Sequence, residues 1–195
     1  MPQLYTTINP YRHFMLPVTH GHEIYVEETG NPEGIPILFI HGGPGAGLST
    51  DYSKLFDTDV YRIIGFEQRG CGRSTPFASL EHNTTQDLLN DITALREYLN
   101  INKWILFGGS WGSTLALLTA IEAPEHTLGL ILRGVFLGRE EDIHWYIHPK
   151  GGAGQLYPEY YEAFVQDVGY LETTQEICDA FFSLFNQKNK FAKAN

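Results

Sequence analysis

Ser110 stands in the run Gly108-Gly109-Ser110-Trp111-Gly112, between the apolar stretch WILF at 104–107 and the helix-forming stretch STLALLTAIE that begins at Ser113. This is the G-x-S-x-G pattern of a serine held on a sharp strand-to-helix turn. Such a turn projects the hydroxyl into the open, and glycines at 108 and 112 allow the strand and helix to approach closely. The first turn of the helix offers the Trp111 backbone N–H to a developing oxyanion. Ser110 is therefore the candidate nucleophile for acyl transfer, and Trp111 is one candidate oxyanion donor. A second glycine-rich run, His41-Gly42-Gly43-Pro44-Gly45, follows the apolar stretch at 35–40. Successive glycines let backbone N–H groups face a cleft, and the Gly43 N–H is the candidate second donor. His41 reads as an anchor of that loop, not as a general base.

A third run, Glu67-Gln68-Arg69-Gly70-Cys71-Gly72-Arg73-Ser74, follows the apolar stretch at 61–66. Arg69 and Arg73 suit a role in holding loops through carboxylate or carbonyl contacts. No base is identifiable beside Cys71, which leaves Ser110 as the better nucleophile.

These runs need elements to place them. Stretches 22–28, 35–40, 61–66, 104–107 and 128–132 read as strands, the last four as short continuous apolar runs of the kind a buried central strand shows. Residues 84–99 carry Leu88, Ile92, Leu95 and Leu99 at helical spacing, with Thr84 or Thr85 as cap. A second helix is expected over 112–122, ending before Pro124. Strands alternating with helices predict an α/β fold with a mostly parallel sheet and helices on both faces. Past Gly138 the texture changes, with a helix expected around 174–186. The expected domains are 1–138 and 139–195, the second being the beginning of a helical layer.

Composition narrows the function classes. The 195 residues carry 13 Lys and Arg against 23 Asp and Glu, a net charge of −10. A basic footprint for nucleic acid is missing. Cys71 and Cys178 cannot build a disulfide framework, and no metal-ligand spacing surrounds either. Residues 1–14 lack the basic flank and apolar run of a signal peptide, and no apolar stretch is long enough to span a bilayer. The expectation is a cytoplasmic protein with no membrane partner.

The three motifs, with NTT at 83–85, GGSWGSTLAL at 108–117 and LRGVFL at 132–137, resemble the proline iminopeptidase (prolyl aminopeptidase) family of α/β-hydrolases in order and spacing. The likeness runs over nearly all of residues 5–165. It implies an α/β-hydrolase core followed by a helical cap, and a serine peptidase releasing N-terminal proline from peptides without metal or organic cofactor. It makes Ser110 the nucleophile and Gly43 and Trp111 the oxyanion donors. Glu67 departs from the pattern, since the family usually shows Asp before Gln-Arg-Gly.

A serine nucleophile needs a base and an orienting carboxylate, which follow the serine in the order Ser, Asp or Glu, His. The family places them more than a hundred residues later, beyond this chain. After Ser110 the sequence offers Asp142, Asp167, Asp179, His126, His144 and His148, none of them read as a triad member. Glu140, Glu141 and Asp142 read as a solvated acidic run. The polar tail 186–195 reads as a cut inside the cap, and the strand at 128–132 is expected to be an exposed sheet edge. The chain alone is thus expected to be inactive. The alternatives are an esterase or amidase for another small acyl group, and a non-catalytic remnant or half-protein.

Overall fold

A computed structural model describes residues 4–186; residues 1–3 and the tail from 187 onward lie outside it. The chain divides into two compact units, Met1–Phe136 and Leu137–Asn195.

The first unit holds a six-stranded sheet. Its strands are β1 (Arg12–Pro17), β2 (Glu23–Gly30), β3 (Ile35–Ile40), β4 (Tyr61–Phe66), β5 (Trp104–Gly109) and β6 (Thr127–Arg133), in the order β1-β2-β4-β3-β5-β6. β3 pairs in parallel with β4 on one side and β5 on the other, and β6 runs parallel to β5. β1 and β2 are antiparallel additions at the far edge. The sheet is thus mostly parallel but mixed. β1 was not foreseen, because RHFMLP has one buried residue, Leu16, and no alternation to read.

Alternation across the sheet sets two apolar layers. Leu38, Ile40, Ile64, Phe66, Trp104 and Leu106 face one side and pack with α1 (Thr85–Tyr98) and α2 (Trp111–Glu122). Ile37, Ile63 and Phe107 face the other, where Leu48, Tyr52 and Phe56 cover them. Helices were expected on both faces. Within this unit both long helices share one face, and the other is closed by the 44–60 connection, whose aromatic side chains fill the space a helix would take. The Phe107 ring lies 5.6 Å from Phe39 and 5.1 Å from Phe56.

α1 begins where Thr84 accepts the Asp87 N–H and the Asp87 carboxylate accepts the Thr84 N–H, a reciprocal cap. Leu88, Ile92 and Leu95 turn inward from it, and Ile92 and Leu95 are fully buried. At the other edge β6 has no further neighbour among the described residues. Leu128, Leu130 and Ile131 are exposed along it, on both faces of the sheet.

The second unit contains α3 (Glu140–Ile147), α4 (Gly152–Leu156), α5 (Pro158–Val165) and α6 (Thr174–Phe185). α3 to α5 were not foreseen, being short and interrupted by Pro149, Gly151 and Pro158. α6 carries its own reciprocal cap between Thr173 and Glu176, and Tyr161 hydrogen-bonds the Ile147 carbonyl at 2.7 Å. No helix among the described residues is long and apolar enough to cross a membrane.

Truncating a fully buried aliphatic side chain of this sheet–helix layer costs roughly 2–5 kcal/mol, against about 0.5 kcal/mol or less at an exposed site. Ile92→Ala is therefore expected to lower the urea midpoint strongly, and Ile121→Ala, at an exposed position of α2, to leave it nearly unchanged.

Candidate active site

The ends of β3 and β5 are neighbours at the point where the sheet's order reverses, β4 lying on one side of β3 and β5 on the other. A crevice outside the carboxyl ends of the strands forms at such a point. The 41–45 loop leaves β3 there, Ser110 leaves β5, and the 67–74 loop leaves β4.

Ser110 has φ 54° and ψ −123°, a strained conformation for a residue with a side chain, between the last strand residue and the first turn of α2. Close packing enforces it. A Cβ on Gly108 would overlap the Gly112 carbonyl, and one on Gly112 would overlap the Ile40 carbonyl. Hydrogen bonds pin both sides of the turn. The Ser110 N–H donates to the Arg133 carbonyl at 2.9 Å, and the Ser110 carbonyl accepts the Ser113 N–H at 2.8 Å and its hydroxyl at 2.6 Å. Ser113 in turn accepts the Phe136 N–H, and the Thr114 hydroxyl donates to the Phe136 carbonyl. The Ser110 side chain is left exposed, with no hydrogen bond to its hydroxyl among the described residues.

The glycine-rich loop lies against this turn. A Cβ on Gly42 would sit 3.4 Å from the Ser110 Cβ. Gly43 has φ +119°, open to glycine and strained for other residues. Among the described residues neither the Gly43 nor the Trp111 N–H has a hydrogen-bond partner.

His41 holds the loop from beneath. Its Nε2 accepts the Gln68 N–H at 3.0 Å, so Nδ1 carries the proton and donates to the Gly42 carbonyl at 2.9 Å. Burial pushes its pKa below the ordinary value and keeps the ring neutral. This is the anchoring role the sequence suggested. Gln68 had been given no role, yet its amide joins all three motifs. Its Nε2 donates to the His41 carbonyl at 2.8 Å, and its Oε1 accepts the Trp111 indole N–H at 3.2 Å. Position within the third motif was the only signal pointing to it.

The arginines brace the loop behind. Arg69 is fully buried and grips Asp91 of α1 with Nε at 2.6 Å and Nη2 at 2.7 Å. It also donates to the His82 carbonyl and the Thr19 hydroxyl. The Asp91 carboxylate raises the guanidinium pKa still further. Glu67 accepts the backbone and side-chain N–H groups of Arg73 and the Leu48 N–H. Burial opposes ionisation of Glu67, but the Arg73 bonds overcome it and hold the carboxyl below its ordinary range. Burial, with the Glu67 charge, pushes the Cys71 thiol up, so it stays protonated, with its Sγ–H on the Arg69 carbonyl.

His126 is remote from Ser110. β5 and β6 run parallel, with Trp104 beside Thr127 and Gly109 beside Arg133, so His126 lies at the opposite end of the sheet from Ser110. That is about 20 Å away, at roughly 3.3 Å per residue. Its Nδ1 bonds the Asn102 carbonyl. In the second unit, the His144 and His148 rings stack at 4.2 Å and bond Thr174 and the Glu172 carbonyl, while Asp142 is paired with Arg139 at 2.9 Å.

The sequence pattern described as alpha/beta hydrolase fold matches residues 35–194. The chain belongs to that family. Among curated proteins it is 46% identical over 189 residues to a probable proline iminopeptidase of Leptolyngbya boryana, covering 97% of this chain and 58% of that protein. It is 46% identical over 183 residues to the proline iminopeptidase of Arabidopsis thaliana, covering 94% and 48%. The chain thus spans about half the length of the curated relatives it matches. Among solved structures, a proline iminopeptidase-related protein from Thermus thermophilus superimposes with a TM-score of 0.56 at 22% identity, covering 88% of this chain and 71% of that one. At that identity the likeness speaks for the fold alone.

Two outcomes follow from this geometry. Gly112→Ala should push β3 and α2 apart, costing about 1–3 kcal/mol as for an overpacked core position, visible as a lower midpoint in chemical denaturation. The second concerns acid. With its folded pKa depressed, Glu67 contributes stability that is complete above its unfolded value near about 4.3 and is lost as pH falls through the folded value. Urea midpoints between neutral and acid pH should fall more steeply below that value in the wild type than in Glu67→Gln.

Proposed function

We propose that this chain carries the nucleophile and oxyanion donors of a serine aminopeptidase that releases N-terminal proline from peptides. The observation that carries this reading is the exposed Ser110 hydroxyl on its strained turn, beside a glycine loop with an unpartnered N–H. The similarity to proline iminopeptidases supports the substrate class.

Ser110 Oγ attacks the prolyl carbonyl carbon while its proton passes to a general base. The carbonyl oxygen, now an oxyanion, takes hydrogen bonds from the Gly43 and Trp111 N–H groups. The C–N bond breaks, the departing amine takes the proton, and water then cleaves the prolyl ester to free proline and restore Ser110. The base and its carboxylate partner are assigned to no residue of this chain, in keeping with the order Ser, Asp or Glu, His. The 139–195 region is proposed as the beginning of a helical cap domain. The free thiols Cys71 and Cys178 favour a cytoplasmic location.

The test is hydrolysis of L-prolyl-4-nitroanilide by a polypeptide extending these residues to the full length of the relatives. It should turn over, and Ser110→Ala should lower kcat by roughly 10³-fold or more. The 195-residue chain alone should stay at the Ser110→Ala background. Undiminished activity in Ser110→Ala, or a preference for simple esters over prolyl amides, would sink the proposal.

A further inference from the structure

The two proposed oxyanion donors belong to peptide units that are held at their carbonyl ends. The Gly43 and Trp111 N–H groups each share a planar trans peptide with the preceding carbonyl, so each points away from that carbonyl. The Gly42 carbonyl takes the His41 Nδ1–H at 2.9 Å. The Ser110 carbonyl takes the Ser113 N–H at 2.8 Å and the Ser113 hydroxyl at 2.6 Å. In both units a buried side chain fastens the end opposite the donor.

A backbone bond such as the one from Ser113 occurs at many helix starts. The hydroxyl bond is an addition to it. Ser113 is the third residue of α2 and fully buried, so no substrate reaches it. Its hydroxyl gives its one proton to the Ser110 carbonyl and accepts the Phe136 N–H at 3.1 Å, which fixes both of its roles. Without the hydroxyl, the plane of the Ser110–Trp111 unit would rest on the Ser113 backbone bond alone, next to a residue at φ 54° and ψ −123°. A donor on the carbonyl also polarises the peptide unit and makes its N–H a stronger donor.

We propose that, with Ser110 as the nucleophile, Ser113 is a positioning residue for acyl transfer. Its hydroxyl sets the direction and the strength of the Trp111 N–H toward the oxyanion. The effect falls on the tetrahedral state, where charge on the oxygen is greatest, and hardly on binding of the uncharged ground-state carbonyl.

The test uses the polypeptide at the full length of the relatives, with L-prolyl-4-nitroanilide as substrate. Outright loss of an oxyanion donor lowers kcat about 10²–10³-fold. Ser113→Ala keeps the Trp111 N–H and the Ser113 backbone bond, so it should lower kcat roughly tenfold, with KM changed less than about twofold. Two inhibitors separate positioning from general loosening. L-prolinal takes the Ser110 oxygen at its aldehyde carbon and presents a hemiacetal oxygen to the donors, whereas L-prolinol cannot form that adduct. Ser113→Ala should weaken L-prolinal roughly tenfold and leave L-prolinol unchanged. Ser113→Cys fills the same space with a much weaker donor; it should show the same pattern and serves if Ser113→Ala does not fold. Unchanged kcat and L-prolinal affinity, or equal weakening of both inhibitors, would overturn the role of Ser113 while Ser110→Ala stayed inactive. No turnover by the wild type, or full activity in Ser110→Ala, would instead overturn the nucleophile, and the role of Ser113 with it.

Discussion

The absence of side chains at Gly108 and Gly112 is the constraint on which the rest of the site depends. It lets the end of β5, the start of α2 and the end of β3 meet at backbone distance, with the Gly112 α-carbon against the Ile40 carbonyl. Only that approach makes room for the turn at φ 54° on which Ser110 sits. The strain is held by hydrogen bonds from three directions: Arg133 at the end of β6, Ser113 in α2, and Phe136 through Ser113. A residue strained by a few kcal/mol persists only where its surroundings overdetermine it, as they do here.

The loops around the turn are fixed by buried polar groups, each with a partner. Gln68 spans the indole of Trp111 and the carbonyl of His41, and neutral His41 fixes Gly42. Arg69 and Asp91 tie the same segment to α1. Removing one partner of such a pair leaves a buried charge, a loss of about 3–5 kcal/mol. The 41–45 and 67–74 loops are thus a single braced structure.

Much of this was legible in the sequence because buried parallel strands and glycine turns leave strong local marks. β3 and β4 fall where the apolar runs predicted, and α1 begins at Thr84, one of the two caps the sequence offered. What was missed depends on long-range contacts. β1 exists because β2 offers it a ladder, not because RHFMLP alternates. Helices on both faces were expected, but aromatic side chains of the 44–60 connection do that work on one of them. Gln68 bridges residues 27 and 43 positions away, and no local pattern announces such a role.

The central claim is that the fold presents Ser110, and no other side chain, as the acylated group. The direct measurement is mass-spectrometric mapping of a fluorophosphonate adduct on the polypeptide at the full length of its relatives. A single adduct on Ser110, lost together with prolyl amide hydrolysis in Ser110→Ala, is the predicted result. An adduct elsewhere, or persistent hydrolysis after Ser110 is fully modified, would contradict it.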